Sequence, residues 1–421
     1  MIKPISIAPG ITLRCRRDHR FKQGRITLQF LRPMCREEAT LNALLPMVLL
    51  RGTQIHQDLR AITMHLDDLY GASVGDLVRR IGDLQTTGLY CTFTEDRFAL
   101  EGDQIFAPAV DFLRELLLQP LLVDGFFDSE IVESEKKNLI ADLEAQKNDK
   151  AAYAGSQLLK TMCRGDSFSI PRLGEKDQVA AITPESLTLH YKKLLKIAPV
   201  EIFYVGSAPE AQVIDAFSDL FCGLERQPEN LPAQSPFRDA GESHTRESMD
   251  ISQSRLCMGF VTDITNRHPD FAAMQVFNAL FGAGMTSKLF LNIREKMSLC
   301  YSIGSGYYGA KGLMTVSAGI DADKEELVHQ QVLQQLENCR QGQMSQEEIN
   351  AAKQMILSSL QAVMDSPGAI EGYFSTAAIG GFPLTLDDYR RAVQNVDAGQ
   401  LIRVCESIRY HSDFFLEGVL K

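Results

Sequence analysis

Apolar and polar residues alternate in short runs along this chain, and each pair of runs gives way to longer stretches with helical spacing. In the first half, Ile11–Arg17 and residues 25–30 alternate as strands and read as a hairpin. Helical spacing follows over 37–50 and 57–70. Alternation returns over 71–80 and 86–94, and helices over 104–118 and 124–146. The second half repeats the plan, with a strand at Ser254–Val261, a helix over 270–281, strands over 301–309 and 312–320, and a helix over 324–339. Long helices segregated against antiparallel strands predict an α+β fold.

The halves also start and stop their elements alike. Asp128-Ser129-Glu130 and Ser345-Gln346-Glu347 each place a capping side chain ahead of acids in the first turn of a helix. Thr183 caps, and Pro184 starts, a helix that leads into the apolar strand Val200–Gly206. Asp397 begins a helix that leads into another apolar strand from Asp413. The offset is close to half of the 421 residues, which predicts a diverged duplication. One domain is expected over 1–222 and the other over 249–421. The polar stretch 223–248 between them, with Pro228, Pro232 and Pro236, reads as a linker.

Composition narrows the function classes. Apolar content of 45% and charged content of 23% are ordinary for a globular protein, and a net charge of −11 argues against a nucleic-acid partner. The basic cluster at Arg14, Arg16, Arg17 and Arg20 is local and reads as a strand edge and turn. No apolar run approaches the length of a membrane-spanning helix, and the first residues lack the apolar core of a signal peptide. Nine scattered cysteines without a Cys-x-x-Cys pair fit a reducing cytoplasm. No two of the eight histidines have the His-x3-His spacing of a helical metal pair; His65, beside Asp67 and Asp68, comes nearest to a ligand cluster but reads as a solvated helical side chain.

The densest chemistry lies between Gly282 and Ser305. Gly282 and Gly284 frame a loop, an amphipathic helical stretch follows, Arg294 ends it, and Tyr301 opens a strand seven residues later. Arginine forks onto a carboxylate or a peptide backbone, and tyrosine donates one directed hydrogen bond. This block, with Leu299 and the Arg51-Gly52-Thr53 triplet of the first half, resembles the M16 peptidases, the insulinase, pitrilysin and mitochondrial-processing-peptidase family, and within it the M16B type. Catalytic chains of that family carry His-x-x-Glu-His on an early helix. Here Ala43, Pro46 and Met47 stand in the places of the two histidines and the glutamate, and Asp142 stands in place of the glutamate that is the third ligand, while Glu135 is kept. None of Ala, Pro or Met suits a zinc–water site, and one aspartate cannot supply the three protein ligands that catalytic zinc takes.

The resemblance therefore implies two homologous LuxS/MPP-like metallohydrolase-type domains, forming half of a clamshell, without zinc or another cofactor and with no catalytic residue of its own. It implies a non-catalytic subunit of a heterodimeric peptidase. Its companion would bear zinc and His-x-x-Glu-His, and Arg294 and Tyr301 would reach a shared peptide substrate. The alternative is a homodimeric pseudoprotease that holds a peptide as a scaffold, a role the resemblance links to translation-factor modification. Other motifs are weaker. Gly304-x-Gly306-x-x-Gly309 lies between two strands, not before a helix, and reads as a glycine-rich hairpin in place of a dinucleotide loop. Cys300 has no histidine nearby in sequence to activate it, Ser305 lies in no Gly-x-Ser-x-Gly elbow, and Glu295 and Lys296 read as a solvated face.

Overall fold

In the computed structural model, which describes residues 2–419, the chain forms two compact units. The first takes residues up to Glu144, Ile170–Ala233 and Val363–Ile379. The second takes Ala145–Ser169, Gln234–Ala362 and the residues from Gly380 on.

Strands β1 (Pro4–Ala8), β2 (Ile11–Arg17), β3 (Gln23–Pro33), β4 (Ser73–Ile81), β5 (Leu84–Thr94) and β8 (Val200–Gly206) build the sheet of the first unit, in the order β1-β2-β8-β3-β5-β4. A two-stranded ribbon, β6 (Leu122–Val123) with β7 (Phe126–Phe127), stands apart from it. The second sheet takes β9 (Ser243–Met249), β10 (Ser254–Val261), β11 (Ser302–Tyr308), β12 (Leu313–Ile320) and β13 (Arg409–Gly418), in the order β11-β12-β10-β13-β9. Read from the other edge, the second order is β9-β13-β10-β12-β11, which matches β2-β8-β3-β5-β4 strand for strand. In each sheet the one parallel pair is the same, β2 with β8 and β9 with β13. The duplication expected from the sequence is thus repeated in topology, with β1 as an added edge in the first unit. The helices that feed the two parallel strands also start alike, each with a reciprocal capping box, Thr183 with Ser186 and Asp397 with Gln400.

Two expectations change. Ile11–Arg17 does not form a hairpin with β3, because β8 lies between them and pairs with both. β8 is buried along almost its whole length, so it takes a central place that an edge strand could not offer it. Residues 243–248, the end of the stretch read as a linker, belong to a strand that runs to Met249. Its side chains alternate between half-buried and exposed, and it is held by its parallel backbone ladder to β13.

The core of the first unit lies between one face of its sheet and its helices, with Ile26, Leu28, Leu89, Phe93, Phe106, Leu113 and Tyr204 all but sealed from solvent. On β3, Thr27 and Gln29 alternate with these apolar residues and meet helix Pro367–Ile379, where Thr27 donates to Glu371 at 3.0 Å and Gln29 to Ser375 at 2.9 Å. Arg79 forks onto the same buried Glu371 at 2.8 and 2.9 Å. In the second unit, helix Lys150–Met162 lies on the sheet. A Cβ at Gly259 of β10 would sit 2.5 Å from the Met162 sulfur, so glycine is what permits that approach.

Candidate functional site

Ala43, Pro46 and Met47 lie on helix Arg36–Leu49. Ala43 is 1% exposed and belongs to the apolar core, and Pro46 borders an apolar void of about 10 Å³ lined by Phe30, Leu49 and Tyr191 among others. Met47 is half-buried and packs on the same core. Proline inside a helix lacks the N–H that would reach the carbonyl four residues back. That carbonyl is Asn42, and the Thr87 hydroxyl donates to it at 2.5 Å, replacing the missing bond. The Asn42 amide is equally occupied, donating to Gln85 at 2.8 Å while its oxygen meets His190 Nε2 at 2.7 Å. Burial holds the His190 imidazole well below its usual pKa, at about 4, so at neutral pH it is uncharged and donates Nε2–H to Asn42.

Around this helix the retained residues have structural partners. Arg51 is ion-paired with the buried Glu135. A Cβ on Gly52 would lie 2.8 Å from the Gln57 carbonyl, which explains the glycine, and Thr53 donates to Glu115. Asp142, on helix Ser129–Ala145, is exposed. His56 accompanies Glu115 at 2.8 Å and its ring lies 4.5 Å from that of His65, a meeting of histidines nine residues apart that spacing alone does not signal. Among the described residues, no group of three or more His, Cys, Asp or Glu side chains could hold a metal ion. The residues at the motif positions do not fit zinc.

The Arg/Tyr block lies in the second unit. Helix Phe271–Asn278 widens into a π-helical turn over Ala279–Ala283, and a second π-helical stretch, Leu289–Lys296, carries Arg294. Gly282 is fully packed: a Cβ there would lie 2.6 Å from Ser305 Oγ and 2.9 Å from Leu289. At Gly284 it would lie 2.9 Å from the Met355 sulfur. Both glycines therefore allow the helix end to pass close to its neighbours. The chain leaves the second stretch through Ser298, which adopts φ +52° in the left-handed region, and enters β11 when the Tyr301 N–H bonds the Gly319 carbonyl at 2.8 Å.

This turn exposes both candidate side chains. Tyr301 is 58% exposed, and its hydroxyl donates to Asp321 Oδ1 at 2.9 Å. Arg294 lies 4.6 Å over the Phe290 ring, and its nearest acid is Glu295 at 3.7 Å, too long for a hydrogen bond. The two share an open cavity of about 460 Å³ with Ser298, Leu299, Cys300 and Lys324. The bond to Asp321 raises the Tyr301 phenol above its ordinary pKa, so it stays protonated and able to donate.

The rival nucleophiles are poorly placed for chemistry. Cys300 is buried and its thiol is pushed up to about 11 by that burial, against the pull of Arg294 and Lys324. Ser305 donates to Asn278 Oδ1 at 2.8 Å, which fixes it as a brace between β11 and the helix end. Gly304 and Gly306 lie within β11, and Gly309 in the turn that follows, as a hairpin requires.

Comparisons with known proteins agree with this picture. The sequence profile described as "Peptidase M16 inactive domain" matches residues 181–356. A relative named "Probable inactive metalloprotease YmfF", from Bacillus subtilis (strain 168), is 28% identical over 97% of this chain and 96% of its own length. Both matches are to M16 peptidases, the profile over residues 181–356 and the relative over nearly the whole chain, so this chain resembles that family. A crystal structure of a conserved protein from Enterococcus faecalis V583 superposes with a TM-score of 0.91 at 28% identity, covering 100% of this chain and 99% of that one. A second, of a peptidase M16 inactive domain from Pseudomonas fluorescens, gives 0.82 at 19% identity over 100% and 98%, a likeness of fold. The two-domain α+β architecture expected from the sequence is the M16 fold. Among the described residues, no helix is long and apolar enough to cross a membrane.

Proposed function

We propose that this chain is the non-catalytic, Arg/Tyr-type subunit of a heterodimeric M16 zinc peptidase, working in the cytoplasm. It binds the peptide substrate and completes the site of a companion that carries His-x-x-Glu-His and the metal. The observation that carries this reading is the contrast between the two blocks: Ala43, Pro46 and Met47 are apolar and packed, while Tyr301 stands exposed and Arg294 partly exposed around one open cavity. Tyr301 supplies a protonated phenol to the oxyanion that forms when the scissile carbonyl is attacked. Arg294 forks onto the peptide backbone and fixes its register. A preorganised donor of this kind contributes about 2.7–4 kcal/mol at the transition state. All nine cysteines are free thiols, in keeping with a reducing compartment.

Mixing the chain with its companion tests the reading. Peptide cleavage that a chelator abolishes is expected. Tyr301→Phe should lower kcat by about 100-fold with little change in KM, since the donor acts mainly in the transition state. Metal analysis should find zinc in the complex and not in this chain alone. Stoichiometric zinc in the isolated chain, or full activity of Tyr301→Phe and Arg294→Ala complexes, overturns the assignment. Recovery of only a second copy of this chain in a pull-down would favour the homodimeric scaffold instead.

A further inference from the structure

The cavity around Arg294 and Tyr301 holds two more groups that the function above leaves unused. Lys324 lines it from the residue before helix Glu325–Arg340, and its ammonium donates to Asp321 Oδ2 at 2.8 Å. Asp321 follows directly on β12, and the β11–β12 register brings it beside Tyr301, which holds its other oxygen. Cys300, in the lining, feels both Arg294 and Lys324 as nearby positive charges. Two cations and a phenol thus surround one open space, and the chain's own carboxylate already occupies two of those three donors.

A phenol has a single proton to give. While Tyr301 donates to Asp321 it cannot donate to anything in the cavity. Lys324 holds the resident acid as a point charge whose three donors can turn to another anion. Arg294 meets Glu295, which also lines the cavity, only at 3.7 Å, beyond hydrogen-bond length, so its fork can turn to a better-placed acid. The geometry points to a carboxylate receptor: an acidic group of the bound peptide, a side chain or a free C terminus, docks on Arg294 and Lys324 in competition with Asp321. Asp321 is then a built-in competitor for the site's donors, and the ligand class is a peptide that bears a carboxylate. This inference rests on the peptide-binding role proposed above.

The test uses the full chain and four fluorescent decapeptides of one sequence, with Glu or Gln at the centre and a free or amidated C terminus, followed by anisotropy at low salt. Peptides with the recognised carboxylate should bind about tenfold tighter than those without it. Sensitivity to Glu→Gln assigns the side chain, and sensitivity to amidation assigns the terminus. Lys324→Gln should remove that tenfold preference, and Asp321→Ala should tighten carboxylate peptides several-fold. Both residues are partly exposed, so neither change threatens the fold. Equal binding of all four peptides that Arg294→Ala still weakens overturns the carboxylate receptor and leaves the peptide-binding role standing. Binding that neither Arg294→Ala nor Tyr301→Phe alters overturns that role and the inference with it. Absence of binding by every peptide, or an unchanged affinity in Asp321→Ala, also overturns the inference.

Discussion

Helix Arg36–Leu49 and the stretch from Leu289 to Tyr301 lie in corresponding segments of the two units: each falls between a central strand, β3 or β10, and an edge strand, β4 or β11. They have diverged in opposite directions. On the first, the motif positions hold Ala43, Pro46 and Met47, and their neighbours Asn42, Thr87 and His190 spend their polar groups on one another. On the second, Arg294 and Tyr301 stay in solvent with one loose acid and one exposed hydrogen bond between them. Side chains so placed contribute little to stability. The first face is packing. The second holds its side chains over a cavity at little structural gain, which is what the proposed peptide-binding role builds on.

That contrast can be broken on the structural side first, through His190. The folded chain holds its imidazole neutral down to about pH 4, whereas an unfolded chain takes up that proton near 6.5. The pKa is depressed on folding, so the stabilisation is complete above pH 6.5 and is lost as pH falls toward 4. The loss amounts to about 3 kcal/mol from this group. Glu38, Lys193 and Arg32 are the charged groups that bear on it. Denaturant unfolding at pH 7 and pH 4.5 should show a smaller difference for His190→Gln than for the parent. An equal difference in both would mean that the network around Asn42 is not what holds this helix.

Thr87 gives a narrower version of the same test. Its hydroxyl is the donor that replaces the N–H which Pro46 lacks, so Thr87→Val, which keeps the shape, leaves the buried Asn42 carbonyl unsatisfied. The expected cost is about 2 kcal/mol in urea unfolding. The double variant Thr87→Val with Pro46→Ala should recover part of it, because the helix regains its own donor. No recovery would remove the explanation offered for proline inside this helix.

The sequence carried the elements better than their partners. Val200–Gly206 and Ser254–Val261 agree to the residue with the strands observed, because residues 202–206 and 256–261 are all apolar or glycine. β9 was missed because Ser243–Met249 has almost no apolar residue to reveal a period; its place comes from a backbone ladder that side chains do not announce. Helix Lys150–Met162 and helix Pro367–Ile379 likewise pack on sheets far from them in sequence order. Around the candidate site, the spacing of Arg294 and Tyr301 was visible, whereas Asp321 and Lys324 enter only through the β11–β12 register. Periodicity reports which face of an element is buried, and says nothing of which distant residue it meets.

The smallest expected effect sharpens the comparison most. Tyr301→Phe removes one hydrogen bond at an exposed position, and Arg294→Ala removes a ring contact and a loose ion pair. Each should change unfolding stability by no more than about 0.5 kcal/mol. If Tyr301→Phe silences a companion's peptidase while its unfolding curve overlays the parent's, the residue acts on substrate and not on the fold. A loss of about 2 kcal/mol in either variant would instead make the Arg294–Tyr301 turn a structural clamp, with Asp321 as its latch. Exposure of the two side chains would then no longer be a reason to assign them to a peptide.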